Sequence, residues 1–127
     1  MAKISRIAPE IPAADLQAAL KHYEQKLGFQ VAMQMPGGGY AIVERDGVAI
    51  HLFEDNTRSH SPVGLHIFTS DLDALYSELR QNGAHFTQGI VRKPWGNRDF
   101  RLQDEFGNEI KFTEPLSDEA VAKESAR

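Results

Sequence analysis

With 127 residues, 41% of them hydrophobic and 25% charged, the chain is long enough for one globular domain or for two small halves sharing a core. A net charge of -4 argues against extensive nucleic-acid backbone binding, and no apolar run approaches the ~20 residues of a membrane span. The absence of cysteine removes any disulfide framework or thiolate metal site, which fits a reducing cytoplasm, the expected location.

Residues 3–10 read as a first short strand, with Ile4 and Ile7 followed by Pro9 and Pro12, which end or edge it. Asp15 suits a helix N-cap, and Leu16, Ala19, Leu20, Tyr23 and Leu27 follow at helical spacing before Gly28 supplies a left-handed C-cap. Residues 29–35 form the next strand, and Pro36-Gly37-Gly38-Gly39 is a flexible turn: no Lys-Ser/Thr pair or helix follows it, as a phosphate loop would need. Residues 40–44 and 48–53 then pair as a hairpin through Arg45-Asp46-Gly47, whose Asp-Gly step suits positive φ.

Residues 54–62 are polar and link this half to a second one of similar layout. A strand over residues 64–69 leads to Asp71, which caps a helix bearing Leu72, Leu75, Tyr76 and Leu79 and ending near Gly83. Residues 85–88 are strand-like, and residues 89–97 form a loop region with some extended character. Residues 99–103 pair with residues 108–113 across Asp104-Glu105-Phe106-Gly107. The tally is βαβββ written twice, over residues 4–54 and 64–114 of a single domain spanning residues 1–114. Residues 115–127 form a polar tail, read as a frayed helix or a disordered end. One helix per half implies an α+β fold in which each helix covers one face of a mixed sheet. Duplication of this kind allows the other faces to curve around a shared cavity, and function belongs on the strand residues facing it.

Several local runs carry a family resemblance. They are Pro9-Glu10-Ile11-Pro12-Ala13-Ala14-Asp15-Leu16, then His22-Tyr23-Glu24, Leu27-Gly28-Phe29 and Gly39-Tyr40-Ala41-Ile42-Val43-Glu44-Arg45. Trp95-Gly96 with Phe100, and Asp104 with Gly107-Asn108, complete the set. Over residues 4–114 the chain resembles the vicinal oxygen chelate superfamily, which holds glyoxalase I, extradiol dioxygenases, fosfomycin-resistance enzymes and bleomycin resistance proteins. The last of these is the branch it resembles most.

The resemblance implies a metal site with two ligands from each half, His, Glu or Gln. Carried over residue by residue, the positions fall on Ala8, His51, His66 and Lys111. A methyl group donates nothing and an ammonium has no lone pair, so the transferred set is a poor divalent site and no cofactor is expected. Glu10, two residues from Ala8, shares its face, and Glu109 flanks Lys111 in the same way. His51 and His66 read as hydrogen-bonded cavity histidines; His22, His60 and His85 read as surface residues.

By the same resemblance, a metal-free chain would sequester a small molecule, a bleomycin-like antibiotic or another aromatic ligand, in a groove at a homodimer interface that is domain-swapped or unswapped. Tyr40 and Trp95, beside flexible segments, are the leading ligand contacts; His51, Phe53, His66, Phe68, Arg101 and Lys111 complete the expected site, with Phe53 and Phe68 equally readable as core or dimer-interface residues. Arg101, Lys111 and the two histidines make that site locally basic, which suits an anionic aromatic ligand. The competing readings are a metal-dependent lyase or dioxygenase using His51, His66 and a further carboxylate, and a regulatory module with a vestigial cavity.

Overall fold

A computed structural model describes residues 2–57 and 61–115, and the chain divides into two compact units, Met1–Pro62 and Val63–Arg127. Each is a βαβββ unit with a four-stranded mixed sheet and one helix, the α+β tandem that the sequence leads one to expect. The expected tail, from residue 116 on, lies outside the described residues, as does His60 in the linker.

The first unit comprises β1 (Glu10–Ala13), α1 (Leu16–Gln25), β2 (Gln30–Gln34), β3 (Tyr40–Arg45) and β4 (Val48–Glu54), in the sheet order β1-β4-β3-β2. β1 runs parallel to β4, and the other two pairings are antiparallel. Strand alternation sends Ile11, Ala13, Ala41, Val43, Ile50 and Leu52 to one face, where they are buried with Leu16, Ala19, Leu20 and Tyr23 of α1. Asp15 caps that helix by accepting from the Ala18 amide at 3.1 Å, and the Glu54 carboxylate accepts from the Leu16 amide at 3.0 Å, tying β4 to the helix start. The β3–β4 hairpin closes on two residues, Asp46 (φ 51°) and Gly47 (φ 80°). Both take the left-handed conformation that a two-residue hairpin of this twist requires.

The first strand departs from expectation. It covers Glu10–Ala13, and residues 2–9 form no regular element. The Pro9 and Ala13 carbonyls accept from the amides of His51 and Asp55, so residues 9, 11 and 13 aim their backbone groups at β4. Pro12, one position out of phase, turns its missing N–H off the sheet edge, where nothing needs it. Pro12 therefore belongs to the edge strand, and Pro9 immediately precedes it. His22, expected at the surface, is also corrected: it is 9% exposed, set edge-on to the Tyr23 ring at 5.6 Å.

The second unit repeats the plan with β5 (Gly64–Phe68), α2 (Leu72–Gln81), β6 (Phe86–Arg92), β7 (Arg98–Gln103) and β8 (Glu109–Glu114), in the order β5-β8-β7-β6. Its core holds Leu72 and Leu79 of α2 against Phe100, Leu102, Ile110 and Phe112. Phe100 touches three rings, those of Tyr76, Phe86 and Phe112, at centroid distances of 5.3, 5.6 and 5.3 Å. The turn between β7 and β8 is built on buried polar groups. Asp104 Oδ1 accepts from the amides of Phe106 and Asn108, its Oδ2 accepts from Asn108 Nδ2, and Asn108 Oδ1 accepts from the Val63 amide. β6 is longer than expected and includes Gly89, where the register shifts and where a Cβ would stand 3.4 Å from the Tyr76 hydroxyl. Glycine at that position reads from sequence as a loop, whereas here it accommodates an irregular ladder beside an aromatic side chain.

Candidate ligand-binding faces

Because each helix covers one sheet face, the polar and aromatic residues of the strands gather on the other. In the first unit that face is fixed by register. Glu10 lies opposite His51, Ile42 opposite His51 on the far side, and Tyr40 and Pro12 both lie opposite Phe53. Three of these side chains are bonded in series: the Tyr40 hydroxyl is 2.8 Å from Glu10 Oε2 and 2.7 Å from His51 Nδ1. The Glu10 carboxylate, accepting the phenol proton and repelling the phenolate, pushes the Tyr40 pKa above 10.0. The Tyr40 ring stands edge-on to the imidazole, at 5.8 Å and 83°.

In the second unit His66 lies opposite Lys111, and Lys111 opposite Arg101. His66 Nε2 is 2.7 Å from Thr113 Oγ1, and its ring is tilted against Phe68 at 4.4 Å. Desolvation first, then the Lys111 ammonium, lowers the His66 pKa from 6.5 and favours neutral imidazole. Arg101 donates to Glu109 at 2.9 Å, and Lys93 stands 3.7 Å from the buried Asp99 carboxylate, which also accepts from Gln88 at 2.7 Å. Phe68 is 58% exposed and Trp95 53%. Trp95 is carried on the loop between β6 and β7, which is closed by the amides of Lys93 and Gly96 donating to the carbonyls of Asn97 and Lys93.

All eight sequence-predicted site residues are thus placed. Tyr40, His51 and Phe53 share the helix-free face of the first sheet, and His66, Phe68, Arg101 and Lys111 share that of the second. Trp95 is on a loop. Sequence reasoning missed the first corner. Parallel pairing with β4 makes Glu10 the partner of His51, as His66 is the partner of Lys111, so the equivalent of His66 is Glu10 and not Ala8. The signal was available: Asp15 and Asp71 both cap helices, and counting back five residues from each gives Glu10 and His66.

The correction alters the charge of the two faces. On β1, β3 and β4 the helix-free face carries Glu10 and Glu44 and no lysine or arginine, since Arg45 points to the helix side and donates to the Leu27 carbonyl. Of the cations expected to make the site basic, Arg101 is paired with Glu109, which leaves Lys111 as the principal positive group beside His66.

The corrected set supplies three donor side chains instead of two, yet it still does not suit a divalent ion. In the first unit Glu10 and His51 Nδ1 share the Tyr40 phenol; in the second His66 Nε2 bonds to Thr113, and the residue equivalent to His51 is Lys111, an ammonium with no lone pair. Among the described residues, no three His, Asp or Glu side chains come together as a metal site requires.

A family model described as the Glyoxalase/Bleomycin resistance protein/Dioxygenase superfamily matches residues 3–112. The chain belongs to this superfamily. No curated protein sequence matches it, but many solved structures do. TioX from Micromonospora sp. ML1 superposes with a TM-score of 0.78 at 22% identity, covering 88% of this chain and 99% of that one. A bleomycin resistance determinant encoded on the transposon Tn5 gives 0.79 at 19% identity, covering 90% and 100%. Lactoylglutathione lyase from Agrobacterium tumefaciens gives 0.71 at 18% identity, covering 87% and 94%. At these identities the likeness is one of fold. Proteins as different as a bleomycin resistance determinant and a lactoylglutathione lyase share this fold, so the frame by itself does not choose among activities.

Proposed function

We propose that this superfamily member is a metal-free small-molecule-binding protein of the bleomycin-resistance type, sequestering a drug or other aromatic ligand in a groove completed at a homodimer interface. The observation that carries the reading is the state of the four corner residues. Lys111 brings an ammonium with no lone pair where an ion would need a donor, and among the described residues no three His, Asp or Glu side chains come together as a metal site requires. What remains is a surface for an organic guest. Tyr40, His51 and Phe53 line one face, His66, Phe68, Arg101 and Lys111 another, and Trp95 lies on a loop that can close over a flat ring. Aromatic contacts of this kind add about 0.5–1.5 kcal/mol per stacked pair beyond burial. The working location is the cytoplasm, and the drug-resistance role is supported by the fold likeness to the bleomycin resistance determinant encoded on Tn5.

Titration with bleomycin at low salt tests the drug-binding form: saturable quenching of Trp95 fluorescence, with no turnover, is the expected result. No quench and no heat change would exclude bleomycin as the guest. A second reading is favoured by one observation, the appearance of Glu10 beside His51. It holds that the chain is a metal-dependent lyase or dioxygenase using Glu10, His51 and His66. Elemental analysis of unchelated protein finding about one divalent ion per chain would establish that reading and end the first.

A further inference from the structure

The least satisfied group on the first sheet is His51 Nε2, which is buried and has no hydrogen-bond partner among the described residues. Its state is dictated by the residues around the other ring nitrogen. A carboxylate can only accept, and a phenol carries a single proton. Glu10 takes that proton from Tyr40 at 2.8 Å, so the Tyr40 oxygen, 2.7 Å from His51 Nδ1, is left to accept from an Nδ1–H. In the neutral imidazole the lone pair then lies on Nε2. The chain has fixed an acceptor in a shielded place, where an acceptor without a donor is costly. Phe53 and Pro12 stand next to it in register and offer an apolar wall, and on β1, β3 and β4 the charged side chains of the same face are Glu10 and Glu44, which give it a negative field.

From this geometry we infer that His51 is a tautomer-locked acceptor for an N–H or O–H donor on the bound ligand, and that the Glu10 carboxylate selects a cationic aromatic, such as an amidinium, over an anionic one. The inference deepens the small-molecule-binding reading and rests on it. Glu10 and Tyr40 act through His51 as positioning residues. Amidinium nitrogens can donate to Nε2 while the attached ring lies along Phe53; a carboxylate of the same shape brings two acceptors toward a third.

Benzamidine and benzoate, alike in shape and opposite in charge, are the probes. With histidine labelled with nitrogen-15, a long-range proton–nitrogen spectrum at mildly alkaline pH reports the tautomer, and the His51 signals are identified by their loss in His51→Gln. The expected result for the free protein is a protonated Nδ1 and a bare Nε2. Benzamidine should move the Nε2 resonance saturably toward the hydrogen-bonded position, and benzoate should leave it unmoved. Glu10→Gln loses the preference for benzamidine and, because its amide can donate to the Tyr40 oxygen as well as accept from it, frees the tautomer. Tyr40→Phe releases the tautomer to a mixture. An Nε2–H form in the free wild-type protein overturns the inference. So does benzamidine binding that perturbs the Trp95 indole while Nε2 stays still, a result that spares the broader reading. Absence of any perturbation by either compound also overturns the inference, while the broader reading stands or falls on the bleomycin titration.

Discussion

Lys111 acts on His66 through space as well as through register, and its effect can be measured. Both desolvation and the ammonium disfavour imidazolium, so the folded protein holds His66 below 6.5. The unfolded chain therefore binds the proton more readily, and this group's contribution to stability is full above pH 6.5 and is lost as the pH falls from there through the folded value. Lys111→Met should move the His66 midpoint back toward 6.5, as a proton NMR titration of the ring would record, and should flatten the loss of stability on acidification. Phe100 is a purely structural counterpart. It is fully buried against three rings, so Phe100→Ala should cost roughly 3–5 kcal/mol in urea unfolding. Strand alternation was the most legible part of the sequence: His51, His66, Tyr40, Phe53 and Phe68 lie on the helix-free strand faces, and Trp95 lies on a loop. Glu10 was passed over for Ala8 on the same face because the choice between them depends on which residue pairs with His51, and a four-residue edge strand carries too little pattern to reveal that register.

At the level of the elements, helix capping makes the two halves comparable. Asp15 and Asp71 each accept one amide from the first helical turn, at 3.1 and 3.0 Å, and substitution of either by alanine should cost about 1 kcal/mol of stability. Asp104 should cost more. Its removal leaves the amides of Phe106 and Asn108 and the Asn108 side chain without that acceptor, and Asp104→Ala is expected to lose roughly 2–4 kcal/mol in the same unfolding assay. The hairpins and helices were legible because Asp-Gly turns, caps and apolar spacing are local signals. β6 was read short because Gly89 and its shifted register look like a loop when the Tyr76 hydroxyl beside it is not in view.

For the whole molecule, the proposed homodimer predicts a thermal midpoint that rises with protein concentration, and a sedimentation run on the same samples that gives twice the monomer mass. A midpoint independent of concentration, with a monomer in sedimentation, would remove the dimer interface from the proposed function. The duplicated βαβββ plan and the superfamily follow from the linear chain, since periodicity, caps and turns are written locally and written twice. Only the tertiary structure decided that Glu10, Tyr40 and His51 form one hydrogen-bonded series and that Arg101 is neutralised by Glu109. The reason is register: residues 30 and 41 positions apart in the chain meet through strand pairing, and a shift of a single position would turn each of them to the opposite face.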